Sequence, residues 1–344
     1  MYSKSLWRGT DMLSYLIVGS GYRAEYYARI SQKFPTLFRA MFLCRSEEKA
    51  RLVKEHTGAD ATTSRDQALL FRPDFIVVAV DREHVGSVTE EWALQGFPVL
   101  AETPVGSDVE QLEKIRQLHD QKGARIVCAE QYHRYPVLAA GLEMIEKGII
   151  GRPISAYISL AHEYHGFSLL CRMLQTCGEK YTLQVIKQKQ DIVATDSRYC
   201  AFTDGRLVRE ERDMAFIQFE SGKTAIYDFS SVQYRSFIRS RHVTVRGEKG
   251  EWSDRIISYV DEENQPQRIF LMPKIQERYR KLDTQGLSDG RKTWTGELFL
   301  DTEQDEFAIA SMLLDMGEYL AGGEEPYPLR DALEDALFCI SLEA

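Results

Sequence analysis

A glycine-rich turn directly after a short apolar run constrains this chain more than any other feature. The run Tyr15 to Val18 is typical of a buried parallel strand, and Gly19-Ser20-Gly21-Tyr22-Arg23-Ala24 follows it. In such a unit the first glycine allows a tight bend, the second lets a pyrophosphate approach the backbone, and the third position must be small for helix packing. Gly19, Gly21 and Ala24 fill these positions. The turn therefore predicts a dinucleotide site at a helix N-terminus, the alternative being a purely structural turn.

Residues 14–131 alternate short apolar runs with amphipathic segments of helix length. Between Asp108 and Gln121, for example, apolar residues recur at three-residue steps, with Asp108 as N-cap and Gly123 just past the end. This alternation predicts an N-terminal Rossmann domain, a doubly wound parallel sheet, over residues 12–131. The predicted strands are Tyr15 to Val18, Leu37 to Cys44, Asp74 to Val80, Pro98 to Ala101 and Arg125 to Ala129.

In the second half of the chain the periodicity changes to two residues. Apolar and polar side chains alternate from Ile154 to Leu160, and similar patterns recur on both sides of a hairpin turn at 220–223. We therefore predict a second α/β domain over residues 132–326, built on a mostly antiparallel sheet. A helix in the segment 327–344 is expected to pack back on the first domain. The remaining predicted elements are strands at Met214 to Phe219, Thr224 to Phe229 and His242 to Arg246, and a helix at Asp301 to Leu320.

Composition excludes several classes of partner. The 344 residues include 43 Lys and Arg against 52 Asp and Glu, a net charge of −9, and the basic residues form no block. This balance argues against a nucleic acid or an anionic membrane as partner. No apolar run approaches the length of a membrane span, and residues 1–11 lack the apolar region of a secretory signal. The six cysteines occur singly, so we expect reduced thiols and a cytoplasmic protein.

The end of the second predicted strand bears on the choice of cofactor. A Rossmann domain that binds NAD places Asp or Glu there, where it binds the ribose hydroxyls. Here the strand ends in Leu43-Cys44-Arg45-Ser46, and Arg45 is suited to pair with a 2′-phosphate. The sequence therefore favours NADP over NAD. The alternative is that Arg45 is merely solvated and that Glu47 or Glu48 binds the ribose.

Taken together, these features resemble the glucose-fructose oxidoreductase, inositol dehydrogenase and rhizopine-catabolism family, written Gfo/Idh/MocA. The resemblance runs over nearly the whole chain and rests on the order and spacing of several short motifs. It implies a Rossmann domain followed by an α/β domain with a large open sheet, through which a homodimer or homotetramer forms. The motifs are the glycine turn, Val80-Asp81-Arg82-Glu83-His84, Glu102-Thr103-Pro104, Arg134-Tyr135-Pro136, Gly148-Ile149-Ile150-Gly151, Phe219-Glu220-Ser221-Gly222 and Gly247-Glu248-Lys249-Gly250.

The resemblance also implies an activity, namely hydride transfer between a nicotinamide and a carbon that bears a sugar or cyclitol hydroxyl. In the family, the lysine of a Glu-Lys-Pro motif holds the substrate hydroxyl, and an Asp and a His in a D-x-x-x-H pattern supply the acid and base. The cofactor-binding residues implied here are Gly19, Gly21, Tyr22, Arg23, Ala24, Arg45, Val80, Asp81, His84, Glu102 and Gln131.

The chain departs from the family at both catalytic positions. Thr103 stands where the lysine is expected, and a threonine hydroxyl forms hydrogen bonds but carries no charge near neutral pH. If His165 takes the place of the family histidine, Ala161 falls where the aspartate is expected. We therefore expect another acid or base, His165 first and then His162, because histidine titrates near neutrality. Further candidates are Glu163, Tyr132 and His133.

Two other clusters have simpler interpretations. Cys171 and Cys177, with His162 and His165 nearby, have the composition of a zinc site, but the apolar neighbours of Cys171 indicate a buried helix face and no metal. The tract from Tyr234 to His242 mixes aromatic with four basic residues. In an acidic protein it favours a strand with one charged face over a nucleic-acid site, and contact with an acidic ligand or the cofactor phosphate is the alternative.

Three functions are compatible with these residues. The first is an NAD(P)-dependent oxidoreductase acting on a sugar-like or other small polar alcohol or carbonyl, with another acid in place of the lysine. The second is a redox-neutral lyase or epimerase that oxidises and re-reduces a tightly held nicotinamide within one cycle. The third is a regulatory protein that keeps the dinucleotide site without catalysis. All three functions are considered because Thr103 replaces the lysine that the family uses for catalysis.

Overall fold

A computed structural model of the chain describes residues 12–197, 200–272, 277–279, 282 and 302–343. The chain divides into two compact units. Within the described part, the first comprises residues 12–134, 277–279, 282 and 302–337, and the second comprises residues 135–197, 200–272 and 338–343.

The first unit contains a six-stranded parallel sheet in the order β3-β2-β1-β4-β5-β6, which is the doubly wound arrangement predicted from the sequence. Its central strands carry buried residues at nearly every position because helices cover both faces. The strands are β1 (Leu13–Val18), β2 (Phe38–Leu43), β3 (Asp60–Thr62), β4 (Phe75–Val78), β5 (Val99–Ala101) and β6 (Ile126–Cys128).

The helices of this unit begin and end where local chemistry requires. The side chain of Ser46 caps the second helix and that of Asp108 caps the fifth, while Gly58 and Gly123 end the same two helices in the left-handed conformation. The cap and stop predicted for the fifth helix are therefore confirmed. The helices are α1 (Tyr22–Lys33), α2 (Glu47–Thr57), α3 (Arg65–Leu70), α4 (Arg82–Leu94) and α5 (Val109–Lys122).

The two helices near the C-terminal end group differently from the sequence-based division at residue 326. The long helix α8 (Thr302–Leu320) belongs to the first unit, as does the part of α9 (Leu329–Glu343) up to residue 337. Ion pairs account for the placement of α8, because its acidic side chains meet cations from the Rossmann part of the chain. These pairs are Asp305 with Arg23, Glu306 with Arg29 and Lys33, and Asp315 with Arg134.

The second unit is built on an eight-stranded sheet in the order β14-β13-β12-β11-β7-β10-β9-β8. Only the β7–β10 pair is parallel among the described strands of this sheet, so the predicted mostly antiparallel sheet is confirmed. The strands are β7 (Pro153–Ser159), β8 (Tyr181–Val193), β9 (Leu207–Phe219), β10 (Thr224–Ser230), β11 (His242–Gly247), β12 (Gly250–Ser253), β13 (Ile256–Val260) and β14 (Pro266–Phe270), and the helices are α6 (Pro136–Glu146) and α7 (Glu163–Leu174).

The two faces of this sheet differ. Helix α7 packs on β7 and β10, and one face buries residues such as Ile158, Ile217 and Tyr227. The opposite face leaves Phe216 and Ile226, a directly opposed cross-strand pair, 42% and 45% exposed. Strand β8 lies at the sheet edge and was not predicted, because its run from Lys187 to Asp191 is polar on both faces and lacks the alternation of a half-buried strand.

Glu210 on β9 is fully buried and anchors the segment that follows β10. Arg239 binds both oxygens of its carboxylate at 2.6 and 2.7 Å, and Ser230 and Gln190 each donate a further hydrogen bond at 2.6 Å. These bonds, that of Arg239 foremost, lower the pKa of Glu210 to about 2 against the opposing effect of burial. The carboxylate is therefore charged in the folded protein throughout the physiological range.

This shift predicts acid sensitivity of the second unit. Because the pKa of Glu210 is lower in the folded than in the unfolded state, its contribution to stability is complete above the unfolded value and is lost as pH falls toward 2. Glu210→Gln should destabilise the protein at pH 7 by about 2 kcal/mol and weaken the loss of stability between about pH 5 and 2. Urea unfolding followed by circular dichroism at several pH values measures both effects.

Glu211→Gln is the matched control, because the neighbouring Glu211 is exposed and pairs only with exposed Lys189 among the described residues. It should change stability by less than about 0.5 kcal/mol. If the free energy of unfolding of Glu210→Gln falls between about pH 5 and 2 as steeply as that of the wild type, the low pKa of Glu210 is contradicted.

None of the six cysteines, all of which lie in the described part, forms a disulfide. Within the same residues, no helix combines the length and the apolar character that crossing a bilayer requires.

Candidate functional site

The glycine turn has the geometry that its three small residues suggested. Gly19 follows β1 with a φ of +132°, and a Cβ at this position would lie 2.1 Å from the Ala79 carbonyl oxygen, so the strand ends fit together only around glycine. Gly21 is the N-cap of α1, and a Cβ built on it would have no protein atom within 4 Å. Ala24, in the first turn of α1, is fully buried. The turn is therefore closed on the strand side and open at the helix N-terminus.

This turn lies at the topological switch point of the sheet, where β1 separates β2 from β4 and where open α/β sheets bind ligands. No side chain caps α1 through Gly21, so the positive end of the helix dipole faces open space. The residues present therefore fit a pyrophosphate. A dinucleotide would be held by the backbone around Gly21.

The strand ends on either side of the turn carry the next predicted residues. Arg45 follows β2, is exposed, and makes no ion pair or hydrogen bond through its side chain within the described part of the chain. After β4, Val80 is half-buried, and Asp81 is the exposed N-cap of α4 without a side-chain capping bond. His84 is exposed, and its backbone N–H donates to the Asp81 carbonyl at 2.8 Å. These side chains are accessible to a ligand, and their cofactor-binding role stays a prediction.

Glu102, directly after β5, is held by protein groups. Its buried carboxylate accepts hydrogen bonds from the Arg23 guanidinium at 2.8 Å and from the Tyr27 hydroxyl at 2.6 Å. Burial and the Glu102 carboxylate raise the pKa of Tyr27, so this hydroxyl keeps its proton and remains a donor. Arg23 also binds Asp305 at 2.8 Å. In this structure Glu102 and Arg23 fix the start of α1 to the end of β5.

Two side chains beside this network offer unused hydrogen-bonding atoms. The Gln131 amide donates to Asp305 at 3.2 Å, and its buried carbonyl oxygen has no hydrogen-bond partner among the described residues. The half-buried Thr103 hydroxyl likewise makes no hydrogen bond to the described residues. The exposed Tyr22 hydroxyl, in contrast, bonds to that of Tyr26 at 2.8 Å. Gln131 and Thr103 therefore offer a buried acceptor and an uncharged donor.

In the second unit, His162 and His165 lie together at the start of α7, with their ring centres 4.9 Å apart. His162 is half-buried, and its two ring nitrogens face the hydroxyls of Tyr234 at 2.6 Å and Tyr164 at 3.0 Å. His165 is only 4% exposed. His162 is therefore the more accessible of the two histidines, and the catalytic role of each stays a prediction.

The neighbours of these histidines have structural partners. Ala161 is fully buried, so the position where the family pattern requires an acid is packed in the core. The Glu163 backbone N–H donates to the Tyr227 hydroxyl at 2.6 Å, and its carboxylate accepts a hydrogen bond from the Cys339 thiol at 2.8 Å. The carboxylate of Glu343 lies in the same cluster, with ligand atoms within 4.8 Å of one another.

Sequence reasoning missed Tyr27, Tyr164 and Tyr234. The tract predicted as a charged strand is irregular up to Arg241, and β11 begins only at His242, so that prediction was wrong. The reason is tertiary, because Arg239 binds Glu210 and Gln233 binds the backbone of β7. The aromatic content of the tract was the only available signal for Tyr234.

Comparison with known proteins agrees with this geometry. Residues 13–130 match a family model described as an oxidoreductase family with an NAD-binding Rossmann fold, Gfo/Idh/MocA. No curated protein matches the chain by sequence.

Several solved structures share the fold. An oxidoreductase from Agrobacterium radiobacter in complex with NAD+, L-tartaric acid and magnesium is 12% identical, with a TM-score of 0.67 over 95% of this chain and 94% of that one. A putative NADPH-dependent oxidoreductase from Desulfitobacterium hafniense is 14% identical, with a TM-score of 0.66 over 96% and 94%. A levoglucosan dehydrogenase in complex with NADH and levoglucosan is 15% identical, with a TM-score of 0.66 over 96% of both chains.

The parallel sheet, the open glycine turn and the family match together define a nicotinamide-dinucleotide-binding Rossmann protein. Over residues 13–130 the chain is similar to the NAD-binding Rossmann domain of the Gfo/Idh/MocA oxidoreductases.

Proposed function

We propose that this protein is an NADP-preferring dehydrogenase or reductase that acts on a sugar-like or other small polar alcohol or carbonyl. The observation that carries the proposal is the open glycine turn, where Gly19 is required by the packing of the fold and Gly21 is not. A glycine that no protein contact requires, at the N-terminus of a helix, is what close approach of a pyrophosphate needs. The family match supports the oxidoreductase class.

Each part of the proposed cofactor site has a physical role. The backbone at Gly21 would bind the pyrophosphate, and Arg45 would pair with a 2′-phosphate. The buried Gln131 carbonyl oxygen is an acceptor suited to an amide or hydroxyl of the ligand. Once bound, the nicotinamide supplies the hydride chemistry. The chain itself must bind, orient and exchange a proton with the substrate.

The first test is a titration of the purified protein with NADPH and NADH, followed by nicotinamide fluorescence, after checking for cofactor carried through purification. Micromolar binding of NADPH, followed by turnover with NADP+ and a panel of D-glucose, D-galactose and myo-inositol, would support the proposal. Failure to bind either dinucleotide would refute it.

Arg45→Ala tests the preference for the phosphate. We expect the Kd for NADPH to rise about tenfold while the Kd for NADH is unchanged, since an exposed charge-assisted pair contributes about 1.4 kcal/mol. Arg51→Ala is the matched control, because Arg51 is an exposed arginine of α2 that pairs with Glu55. Equal effects of Arg45→Ala on both dinucleotides would return Glu47 or Glu48 to consideration as the ribose-binding residue.

A second candidate function, that of a redox-neutral lyase or epimerase, follows from Thr103, because its hydroxyl cannot replace the charge of a lysine. A redox-neutral lyase or epimerase needs no net exchange of cofactor, so co-purified nicotinamide without net turnover would favour it. Binding without any catalysis would favour the regulatory alternative. Thr103→Lys probes both, because recovery of net oxidation would show that the missing ammonium limits the chemistry.

The surface of the second unit supports two further expectations. The exposed Phe216 and Ile226 on the open sheet favour a homodimer or homotetramer formed through that face. Sedimentation measures the oligomeric state of the wild type and of Phe216→Asp, and we expect the variant to dissociate into monomers. A net charge of −9 and cysteines without disulfides suit a cytoplasmic protein without nucleic-acid or membrane partners.

A further inference from the structure

His119, in the last turn of α5, lies between two carboxylates. Its Nδ1 is 2.9 Å from Oδ1 of Asp120, the next residue in the chain, and its Nε2 is 2.8 Å from Oε1 of Glu325. Glu325 belongs to the connection between α8 and α9, residues 321–328, which lies in the same unit. The side chains of His119 and Glu325 are 27% and 24% exposed, so the ring can exchange protons with solvent. The imidazole therefore ties the α8–α9 connection to α5.

Both contacts at once require a charged imidazole. A carboxylate accepts hydrogen bonds but donates none, so each ring nitrogen of His119 must carry a proton to bind its own carboxylate. Burial disfavours the charged ring, but the hydrogen bonds with Asp120 and Glu325 outweigh it and raise the pKa of His119. A neutral ring has a single N–H. On deprotonation, one nitrogen therefore turns a lone pair toward a carboxylate, and the remaining hydrogen bond loses the contribution of the positive charge.

Glu325 extends this dependence to the start of α9. Its second carboxylate oxygen, Oε2, accepts a hydrogen bond at 3.2 Å from the backbone N–H of Leu329, the first residue of α9. This amide is one of those that a helix leaves without a partner at its N-terminus. Burial and the Glu325 carboxylate also raise the pKa of Tyr319, near the end of α8, so its hydroxyl keeps its proton. When the contact with His119 weakens, the carboxylate that holds the start of α9 is less firmly fixed.

Among the described residues around this contact, His119 alone has a type of side chain that titrates near neutral pH. The connection is also attached through the Pro326 carbonyl, which accepts from Arg134 at 2.9 Å, and through the Tyr327 hydroxyl, which donates to Asp335 at 2.5 Å. The charged and titratable groups on the elements around the ring are Asp120 and Arg116 on α5, Arg125 after it, Tyr319 on α8 and Glu325. The pH dependence of the attachment in the neutral range therefore resides in His119.

We propose that His119 is a pH-sensitive clamp that fixes the α8–α9 connection to α5 while the imidazole is charged and loosens it once the imidazole is neutral. Because the pKa of His119 is higher in the folded than in the unfolded state, its contribution to stability is complete below the ordinary value for histidine. That contribution is lost as pH rises through the folded value. A rise in pH therefore loosens the start of α9, and a fall in pH fastens it.

Titration of the histidine rings by NMR tests the contact with two carboxylates. We expect the pKa of His119 to fall in Glu325→Gln, because glutamine carries no charge while its amide oxygen still accepts hydrogen bonds. Glu324→Gln is the matched control, since the exposed Glu324 side chain makes no hydrogen bond or ion pair within the described part of the chain. A pKa of His119 that is the same in Glu325→Gln as in the wild type would overturn the clamp.

Hydrogen exchange, measured by mass spectrometry at pH 6 and 8.5 and corrected for the intrinsic rate, tests the loosening. In the wild type, the protection of residues 321–329 should fall about fivefold between the two pH values, because a charge-assisted hydrogen bond is about twice as strong as a neutral one. His119→Gln, with a neutral donor, should show the lower protection at both. His56→Gln should behave as the wild type, because His56 is exposed and binds only Glu25 among the described residues. Equal wild-type protection at both pH values, or wild-type pH dependence in His119→Gln, would overturn the proposal.

Discussion

Gly21→Val should abolish dinucleotide binding and leave the fold intact, whereas Gly19→Ala should destabilise the first unit. The two glycines lie two residues apart, and the structure gives them opposite roles. A Cβ on Gly21 meets no protein atom within 4 Å, and its φ of −86° suits any residue. A Cβ on Gly19 would lie 2.1 Å from a backbone oxygen at a φ of +132°. In Gly19→Ala, backbone strain and steric overlap together should lower the free energy of unfolding by about 4 kcal/mol.

The measurements are urea unfolding and NADPH titration on the same preparations. For Gly21→Val we expect unfolding within about 0.5 kcal/mol of the wild type and a rise in Kd of about 100-fold or more, because the isopropyl group occupies the position of the pyrophosphate. Gly96→Ala is a useful comparison, since its Cβ also meets nothing but its φ of +84° is unfavourable, so it isolates backbone strain. Unchanged NADPH affinity in Gly21→Val would refute a dinucleotide site at this turn.

Asp315→Asn should destabilise the first unit far more than the loss of an exposed acidic side chain would. The Asp315 carboxylate accepts hydrogen bonds from Arg134 at 2.5 Å and from the Tyr279 hydroxyl at 2.7 Å, and only 8% of its side chain is exposed. Arg134, 6% exposed at its side chain, also donates to the Pro326 carbonyl at 2.9 Å. Removing the negative charge leaves a buried guanidinium without its counter-ion, at a cost of about 3–5 kcal/mol.

Two variants serve as controls for the Asp315→Asn prediction. Glu55→Gln breaks the exposed pair with Arg51 and should cost less than about 0.5 kcal/mol. The double change Arg134→Met with Asp315→Leu should recover at least half of the loss, because a buried pair removed whole leaves no charge unpaired. Thermal and urea unfolding report all three. A loss below about 1 kcal/mol for Asp315→Asn would mean that water reaches the pair.

Several features of the fold and of the site were predictable because they depend on residues that are close in sequence. The bend at Gly19, the small residue at Ala24 and the cap at Asp108 each satisfy a steric or hydrogen-bonding need within a few residues, and the structure has all three. Arg45 was identified in the same way, from its place directly after a strand. The predicted roles of Glu102 and Arg23 took no account of the protein groups that hold both side chains.

Long-range partners were beyond the reach of such reasoning. Arg23 meets Asp305 across 282 residues, Arg134 meets Asp315 across 181, and His162 meets Tyr234 across 72. Nothing local distinguishes these acids and tyrosines from the many that face solvent. The same limit explains the strand wrongly predicted around Tyr234, because the contacts that bend this segment come from other strands.

The sequence by itself determined the parallel sheet, the antiparallel sheet and the glycine turn, because periodicity, capping and backbone sterics act between residues a few positions apart. Only the tertiary structure decided which carboxylate neutralises each buried cation, which histidine remains accessible, and which hydroxyls flank it. These choices depend on chain topology, since a buried charge or imidazole takes whichever partner the packing of distant elements brings within about 3 Å.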